Sequence, residues 1–432
     1  MQWYQFLIFG KANRKVNQNT IIMLLLCSMC GFGQSAQAAS IGLSKTQYGL
    51  YPVLSQLDMP WAVKSDQQSR FWITLMSGQL VVTSPLNLYQ KPQPLTTQTV
   101  DLDLPELYVA GQGGLMDLLL LSDSTATQKH LLVSYAKGTE SHNRLAIQRL
   151  TLDWMHTQDR WQLASSQLIF SVSPDKSTPV HYGARLAQLA DKSVLVTVGD
   201  GFDWREQAQN KASGLGKILR MSATGEPLED NPFYQSAIPV VTSNSTPTSD
   251  LSMTNWVYSL GHRNPQGLLV DQQGLIWAHE HGPAGGDEIN LLLPGLNYGW
   301  PVVTQGIDYS GAQITPFTQY QGMTPPVVNW TPSIAPSGFI RYEGKLFPEL
   351  DKAFIVTSLK LKGIVAVNIK DGVYESQVTL DAQRMTATKG QISTTPLPRL
   401  RDITTLPSGE ILILSDGNDA QLLHLKIHKQ YE

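Results

Sequence analysis

One segment in the second half of the chain concentrates side chains that can bind and polarise a ligand. It runs through Leu260-Gly261-His262-Arg263-Asn264, Glu280-His281-Gly282-Pro283-Ala284-Gly285-Gly286-Asp287-Glu288 and Asn297-Tyr298-Gly299-Trp300. A guanidinium, carboxylates and amides surround the apolar run Leu275-Ile276-Trp277-Ala278, which predicts a buried strand. Glycine-rich irregular backbone is entropically costly and is most useful where a chain approaches a ligand closely. The segment is therefore predicted to belong to a binding site.

The elements that must position this segment are apolar hairpins, and the same hairpin unit recurs six times. Its second strands read Phe71-Trp72-Ile73-Thr74, Leu131-Leu132-Val133-Ser134, Val194-Leu195-Val196-Thr197, Leu275-Ile276-Trp277-Ala278, Phe354-Ile355-Val356-Thr357 and Ile411-Leu412-Ile413-Leu414. They begin 57 to 81 residues apart, which is enough for four strands and their loops, and helical periodicity is nearly absent. The repeat predicts an all-β fold, a six-bladed β-propeller with four-stranded antiparallel blades. Two stacked sandwiches would need a central linker, but the polar stretch 242–249 lies inside the fourth repeat and is interpreted as a surface loop.

The hairpin repeat also predicts which residues meet. In an antiparallel hairpin the start of the first strand and the end of the second lie at one edge, so these positions converge around the propeller axis. They are occupied by Gln112, His181, Arg185, Arg263, Asn264, Arg399 and Arg401 before first strands, and by Asp200, Glu280, Lys360 and Asp416 after second strands. Because cations outnumber free carboxylates there, the pattern favours an anionic ligand, and arginine forks match carboxylates.

The N-terminus has the pattern of a secretory signal peptide. Three basic residues precede six consecutive apolar residues and an Ala-Gln-Ala sequence that ends at Ala38. Cleavage after Ala38 is predicted, with a periplasmic or secreted location and a single catalytic domain over residues 39–432. Both cysteines, Cys27 and Cys30, lie in the leader, so the mature chain must be held by its core rather than by disulfides.

The charge and hydropathy of the chain exclude two classes of partner. The formal net charge is -3 and no basic run is present, which argues against nucleic acid. No second apolar stretch approaches the roughly 18 residues that span a bilayer, so stable membrane insertion is not expected. A monomer and a homodimer both remain open.

Eight motifs, in a fixed order along the chain, resemble the soluble pyrroloquinoline-quinone (PQQ)-dependent aldose sugar dehydrogenases of the glucose/sorbosone dehydrogenase family. These are six-bladed propellers of the periplasm. Besides the segment that begins at Leu260, the motifs are Gly111-Gln112-Gly113-Gly114-Leu115, His181-Tyr182-Gly183-Ala184-Arg185-Leu186, Gly216-Lys217-Ile218-Leu219-Arg220, Asp230-Asn231-Pro232-Phe233, Ala335-Pro336-Ser337-Gly338, Ser358-Leu359-Lys360 and Arg399-Leu400-Arg401-Asp402. Together they cover most of the mature chain.

The resemblance implies a role for each matched residue. It makes His181 the general base and Arg263 the group that stabilises negative charge developing on the quinone. The groups that hold the quinone and its three carboxylates would be Gln112, Arg263, Asn264, Tyr309, Lys360, Arg399 and Arg401. The implied Ca2+ sites use the carbonyls of Gly282 and Pro283 at the active site, and Glu288, the Tyr298 carbonyl and Asp308 at a second site. Oxygen donors of this kind suit a hard cation.

The implied reaction is oxidation of the C1 hydroxyl of an aldose to a lactone. His181 takes the hydroxyl proton as hydride passes to a Ca2+-polarised quinone, and an external acceptor then removes the electrons. One departure matters, because Val180 stands where one branch of the family has an acidic residue before the histidine. Another group must therefore orient the imidazole of His181. Ala184 and Ala284 also depart from common family residues and are expected to affect substrate preference.

Several other interpretations stay open at this point. The chain could be a Ca2+-dependent propeller lactonase or a non-catalytic binding propeller. Arg399 and Arg401 could form a surface ion pair with Asp402 or its neighbours, and Asp287-Glu288 could be a turn with solvated charges. The alternating pair His279 and His281 could bind a transition metal.

Overall fold

A computed structural model describes residues 46–87, 95–236, 252–381, 385–389, 392–394 and 397–428. The signal peptide assigned to residues 1–38 and the polar stretch 242–249 lie outside these ranges and stay predictions. Within the described residues the chain forms 26 strands in six sheets. Helix is limited there to three short 3-10 segments, Arg205–Gln209, Met253–Trp256 and Pro348–Leu350. None of the helices in this part of the chain has the length and apolar character needed to cross a membrane.

Each sheet is one blade of a propeller. The chain enters through β1 (Gln47–Leu57), which joins the last blade. Blade I contains β2 (Pro60–Ser65), β3 (Phe71–Leu75), β4 (Gln79–Thr83) and β5 (Thr97–Asp101). Blade II contains β6 (Leu115–Leu120), β7 (Gln128–Gly138), β8 (Asn143–Met155) and β9 (Arg160–Ser171). Blade III contains β10 (Gly183–Gln188), β11 (Val194–Val198), β12 (Lys217–Met221) and β13 (Val257–Leu260).

The second half of the chain repeats the same order. Blade IV contains β14 (Pro265–Val270), β15 (Ile276–Glu280), β16 (Asp287–Leu292) and β17 (Val328–Trp330). Blade V contains β18 (Pro336–Arg341), β19 (Phe354–Ser358), β20 (Ile364–Lys370) and β21 (Val373–Leu380). Blade VI contains β22 (Met385–Lys389), β23 (Ile392–Thr394), β24 (Leu400–Thr405), β25 (Ile411–Ser415) and β26 (Ala420–His428), and it also includes β1.

The N-terminal strand closes the ring. β1 pairs antiparallel with β26, with Tyr48 opposite Ile427, and parallel with β22, with Tyr48 opposite Met385. The innermost strands β2, β6, β10, β14, β18 and β24 contact one another in a complete cycle. The six-bladed propeller with four-stranded antiparallel blades is therefore confirmed, with blade VI extended by the hairpin of β22 and β23.

The apolar second strands form the core, as their sequences require. Every residue of β3, β11, β19 and β25 is buried. Full burial of one large aliphatic or aromatic side chain contributes about 1.5–3 kcal/mol.

Two of the hairpin turns have the same hydrogen-bond pattern around an aspartate. Asp66 and Asp271 each accept two backbone N–H groups of their own turn, and each also accepts the indole N–H six residues later, from Trp72 and Trp277.

A bulge near the start of every innermost strand shapes the axis. All six strands shift register there. In four blades a hydroxyl of the second strand accepts the N–H of a bulge residue; these hydroxyls belong to Thr74, Ser134, Thr197 and Thr357. Three of them, Thr74, Ser134 and Thr197, also donate to a carbonyl of the next blade. The bulges aim polar side chains at the axis and the hydroxyls tie adjacent blades together.

The Arg185 side chain lies on the propeller axis, where it pairs with carboxylates of the protein itself. Its guanidinium lies 3.4 Å from an Asp117 carboxylate oxygen and 3.2 Å from one of Asp402. Its contacts come one from each of the other five innermost strands: Trp61, Asp117, Gln266, Ser337 and Asp402. Grouping Arg185 with ligand-binding cations was therefore wrong. The bulge in β10 turns the side chain into the fold, where it pairs with two carboxylates, one of which Lys64 shares.

Candidate functional site

A buried histidine–carboxylate pair lies at the open ends of the first hairpin of blade III. His181 precedes β10, Asp200 follows β11, and His181 Nδ1 is 2.7 Å from Asp200 Oδ1. Because a carboxylate only accepts hydrogen bonds, Nδ1 carries the proton and Nε2 has the free lone pair. The His181 backbone N–H donates to Gln112 Oε1 at 2.8 Å. This hydrogen bond holds His181 at a backbone φ of +55°. The residue is buried, with 6% of its surface exposed.

Asp200 is the group that orients the imidazole in place of an acidic residue before it. Its Oδ2 accepts the Trp300 indole N–H at 2.7 Å, and its Oδ1 also accepts the Phe202 N–H at 2.8 Å. The Phe202 ring packs edge-on against the imidazole, with 5.1 Å between centroids. The sequence placed Asp200 on this face but did not pair it with His181. The shared hairpin edge was the signal that could have identified the pair.

The pKa of His181 is lowered from 6.5, first because burial disfavours the charged ring and further because Arg263 and Lys176 are cationic. Asp200 opposes this by hydrogen bonding and charge, but does not outweigh it. If His181 works as the base, it is active unprotonated, so kcat/KM should fall with decreasing pH only below pH 6.5. A pH profile of kcat/KM measures this acid limb directly. An acid limb at or above pH 6.5 would contradict the assignment.

Arg263 lies beside this pair and is held by its own blade. Its backbone N–H donates to Glu280 Oε2 at 2.6 Å, and its guanidinium donates to the Gly282 carbonyl at 2.7 Å. The guanidinium also lies over the rings of Trp300 and Tyr309, at 5.4 and 5.8 Å from their centroids. Tyr309 is 65% exposed, so this edge of the site is open to a ligand.

Gln112 and Asn264 hold the backbone around His181. Asn264 Oδ1 accepts the Gly183 N–H and the Gln266 side-chain amide, both at 3.2 Å. Gln112 uses its side-chain oxygen on the His181 N–H. The structure thus brings both predicted cofactor-binding amides next to the base, and their role toward a cofactor stays a prediction.

Two arginines and one carboxylate form a cationic cluster on blade VI. Arg399 Nε donates to Asp416 Oδ2 and Arg401 Nε to Asp416 Oδ1, both at 2.8 Å. Burial would raise the pKa of Asp416, but the two arginines outweigh burial and lower it. The alternative of an ion pair with Asp402 or its neighbours is correct in that both arginines form an ion pair, but the partner is Asp416, whereas Asp402 binds Arg185. The cluster keeps one excess positive charge, Arg399 is 51% exposed, and Lys360 is exposed as well.

The loop that carries the first pair of predicted calcium ligands is tied down by Asp287. This carboxylate is fully buried and accepts the Gly282 N–H at 2.9 Å. It also accepts three donors from the chain before β18: Ser333 Oγ, Ile334 N and Ala335 N. The solvated-turn alternative is therefore wrong for Asp287. The Gly282 carbonyl faces the site, where it already accepts the Arg263 guanidinium.

The second set of predicted metal ligands is less compact. Glu288 is half-buried and shares the Asn290 amide with Glu280, at 3.2 and 3.1 Å. Its pKa is raised well above the usual range by burial and by the neighbouring Glu280 charge. Tyr298 donates its hydroxyl to Leu291 O. Asp308 is in an exposed turn, where its carboxylate accepts the Ser310 N–H and lies 3.9 Å from the Arg205 guanidinium.

The described residues contain no group of three or more His, Asp or Glu side chains placed to hold a metal. His279 and His281 do not form a metal-binding pair. His281 Nε2 lies 2.6 Å from the Pro336 carbonyl, whereas the fully buried His279 ring packs against Phe339 at 4.9 Å. The transition-metal alternative is not supported by these positions.

Comparisons with known proteins agree with this geometry. The aldose sugar dehydrogenase YliI of Escherichia coli (strain K12) is 30% identical over 374 residues, which cover 85% of this chain and 90% of that protein. Quinoprotein glucose dehydrogenase B of Acinetobacter calcoaceticus is 26% identical over 60% of this chain and 53% of its own length. The crystal structure of the soluble aldose sugar dehydrogenase from Escherichia coli in the apo form superposes with a TM-score of 0.70 at 26% identity, covering 88% of this chain and all of that one. The family model described as Glucose / Sorbosone dehydrogenase matches residues 57–424, and the chain belongs to that family.

Proposed function

We propose that this protein is a PQQ-dependent aldose sugar dehydrogenase that oxidises the C1 hydroxyl of its substrate to a lactone. The observation that carries the proposal is the His181–Asp200 pair, whose Nε2 is left as a proton acceptor beside Arg263. Relatives named as an aldose sugar dehydrogenase and a quinoprotein glucose dehydrogenase support the substrate class and the cofactor.

The charges around the site fit a cofactor with several carboxylates. Arg399 and Arg401 share the single carboxylate of Asp416. Lys360 is exposed and follows β19, the second strand of blade V. Arginine forks bind carboxylates in a planar, bidentate way. When bound, the quinone would supply a hydride acceptor. The protein would supply the fixed cations that hold it.

The remaining steps follow from the chain's own residues. His181 Nε2 takes the proton of the C1 hydroxyl, and the Asp200 carboxylate stabilises the imidazolium that results. Asp200 stays in place because Trp300 and the Phe202 N–H hold its two oxygens. Arg263 keeps a positive charge beside the reacting atoms, and its backbone is fixed by Glu280.

We also propose Ca2+ at the active site, bound through the carbonyls of Gly282 and Pro283. A carbonyl oxygen that faces the site suits a hard cation, and Gly282 presents one. A second Ca2+ at Glu288 and Tyr298 has less support, since Asp308 contacts Ser310 and Arg205.

The competing functions fit the site less well. A propeller lactonase binds its metal with several carboxylates on the axis. Here Arg185 occupies the axis and pairs with Asp117 and Asp402, and Lys64 also pairs with Asp117. A binding propeller has no need for an oriented base, yet His181 and Asp200 are joined and buried.

Removal of either arginine of the blade VI cluster tests the cofactor assignment. Arg401→Ala or Arg399→Ala should each weaken PQQ binding by on the order of 10-fold or more, because a charge-assisted hydrogen bond contributes about 1.5–3 kcal/mol. Titration of the purified protein with PQQ, followed by tryptophan fluorescence or calorimetry, gives the Kd.

Arg341→Ala is the matched control, because Arg341 also pairs with a carboxylate, Asp271, at the opposite end of the hairpins. It should leave PQQ affinity unchanged. Equal Kd values for wild type and both cluster variants would show that the carboxylates of the cofactor bind elsewhere.

We propose in addition that residues 1–38 direct export to the periplasm and are removed there. Mass spectrometry of the exported protein should find an N-terminus at Ala39. A protein that keeps its first residues and stays inside the cell would contradict this proposal.

A further inference from the structure

A buried lysine beneath the catalytic pair has no part in the mechanism above. Lys176 is 2% exposed. Its Nζ donates to Asn143 Oδ1 at 2.9 Å and to the Thr178 carbonyl, and it lies 3.5 Å from the centre of the Tyr182 ring. A buried ammonium is costly unless it is paired, so its retention at this place needs a reason.

The position of Lys176 relates it to both members of the pair. Tyr182, whose ring covers the ammonium, directly follows His181 in the chain. Gly201, which directly follows Asp200, lies so close that an added Cβ would be 2.8 Å from Lys176 Cδ. Thr178, which accepts the ammonium at its carbonyl, donates its hydroxyl to the Gly201 carbonyl. The lysine is thus wedged between the two backbone segments that carry the base and its carboxylate.

We propose that Lys176 is a positioning residue, the buried counter-cation of Asp200, which keeps His181 unprotonated until a substrate hydroxyl delivers its proton. The proposal rests on the function proposed above for His181. Without this cation, the Asp200 charge would favour the protonated ring more strongly, and the imidazole would take up a proton from solvent at a higher pH. With the cation, part of the carboxylate charge is offset, and His181 stays neutral to a lower pH.

The charged groups that face the pair agree with this role. Asp200 favours the protonated ring, whereas Arg263 and Lys176 disfavour it, and burial acts in the same direction as the two cations. Burial also lowers the pKa of Lys176 itself to about 7, against the opposing charge of Asp200. Below about that pH the amine is charged, and this is the range in which His181 would otherwise take up a proton. His281, a further titratable group near His181, has its pKa lowered mainly by burial.

Lys176→Met tests the proposal, because methionine keeps the length of the side chain and removes the charge. The readout is the pKa of His181 in the protein without quinone, followed by NMR of labelled histidine. We expect this pKa to rise in Lys176→Met, because a nearby positive charge disfavours the protonated ring. In the reconstituted enzyme the acid limb of kcat/KM should move to higher pH by the same amount.

Lys217→Met is the matched control. Lys217 is also fully buried, burial lowers its pKa to about 7 as well, and its Nζ binds three backbone carbonyls of Gln207, Ala208 and Leu215. Its loss should lower the unfolding temperature in the same way as the loss of Lys176, but the pKa of His181 should not change. A His181 pKa that stays the same in both variants would reduce Lys176 to a packing residue and overturn the proposal.

The NMR readout separates this proposal from the proposed function, because it needs neither quinone nor turnover. If Lys176→Met does not fold, wild-type protein with labelled lysine and histidine answers the same question. The ring resonances of His181 should then shift over the pH range in which Lys176 titrates. If these resonances do not shift in that range, the proposal is contradicted. A changed His181 pKa in a protein that oxidises no sugar would support the coupling and reject the dehydrogenase function.

Discussion

His181→Ala is expected to lower kcat for aldose oxidation by roughly 10²- to 10⁴-fold, the range for loss of a positioned general base. Affinity for PQQ should change little, because the cations of blade VI and Lys360 are untouched. In the variant, Trp300 would still hold the Asp200 carboxylate in place. The rate falls because no group at the Nε2 position could take the hydroxyl proton. Steady-state kinetics on the reconstituted protein, with PQQ binding measured in parallel, gives both quantities.

His130→Ala is a suitable control for this substitution. His130 lies in β7 of blade II, near Thr151. The substitution therefore removes one imidazole that lies outside the site. Its kcat should equal that of wild type. If His181→Ala keeps the wild-type kcat, the proton is taken by another residue and the mechanism proposed for this site is incorrect.

The largest effect on stability is expected from Arg185→Met. The substitution leaves the Asp402 carboxylate buried on the axis without its cation, and leaves Asp117 paired with Lys64 alone. Removal of one partner of a buried ion pair typically costs about 3–5 kcal/mol of unfolding free energy. The partner carboxylates come from blades II and VI, so the substitution should lower the unfolding free energy of the whole propeller. Urea unfolding, with wild type and variant compared at the same pH, measures it.

The comparison that identifies the cause is Arg185→Met combined with Asp402→Asn. Since the double variant removes a stranded charge together with the cation, it should recover part of the lost stability. Arg341→Met serves as the half-buried counterpart. Asp271 keeps two backbone N–H donors and the Trp277 indole N–H when Arg341 is removed, so this substitution should cost less than Arg185→Met. Similar losses for Arg185→Met and Arg341→Met would contradict the role of Arg185 as the axial cation.

The hairpin repeat was predictable because its signal is local. Apolar second strands such as β3, β11 and β25 have the sequence pattern of buried strands, and the structure places all six where the repeat predicted them. One refinement is that the fourth begins at Ile276 rather than Leu275. Closure of the ring by β1 was not predicted, because the pairing of β1 with β26 depends on contacts between the two ends of the chain.

The partners within the site follow a rule that the sequence could have supplied. In three blades the residue before the first strand bonds to the residue at the end of the second: His181 with Asp200, Arg263 with Glu280, and Arg399 with Asp416. These pairs follow from the register of one hairpin. Applied to the sequence, the register would have identified Asp200 as the group that replaces the missing acidic residue at Val180.

Two features could not be read from the sequence in the same way. The direction of the Arg185 side chain depends on the bulge in β10, and a shift of one residue reverses the side on which a side chain lies. Trp300 reaches Asp200 across a sequence distance of 100 residues, from a connection without strand or helix periodicity. Tyr309 and Asp308 belong to the same irregular connection, so neither position followed from a repeat.

The most direct test of the account is turnover of the purified protein after addition of PQQ and Ca2+. Reduction of a dye should be followed with an aldose and with the matching 1,5-anhydro sugar, which lacks the C1 hydroxyl. We expect dye reduction with the aldose that requires PQQ, yields the lactone and is lost in His181→Ala. We expect no reaction with the anhydro sugar. Dye reduction that proceeds equally with the anhydro sugar, or its absence from protein shown to have bound PQQ, would contradict the proposed function.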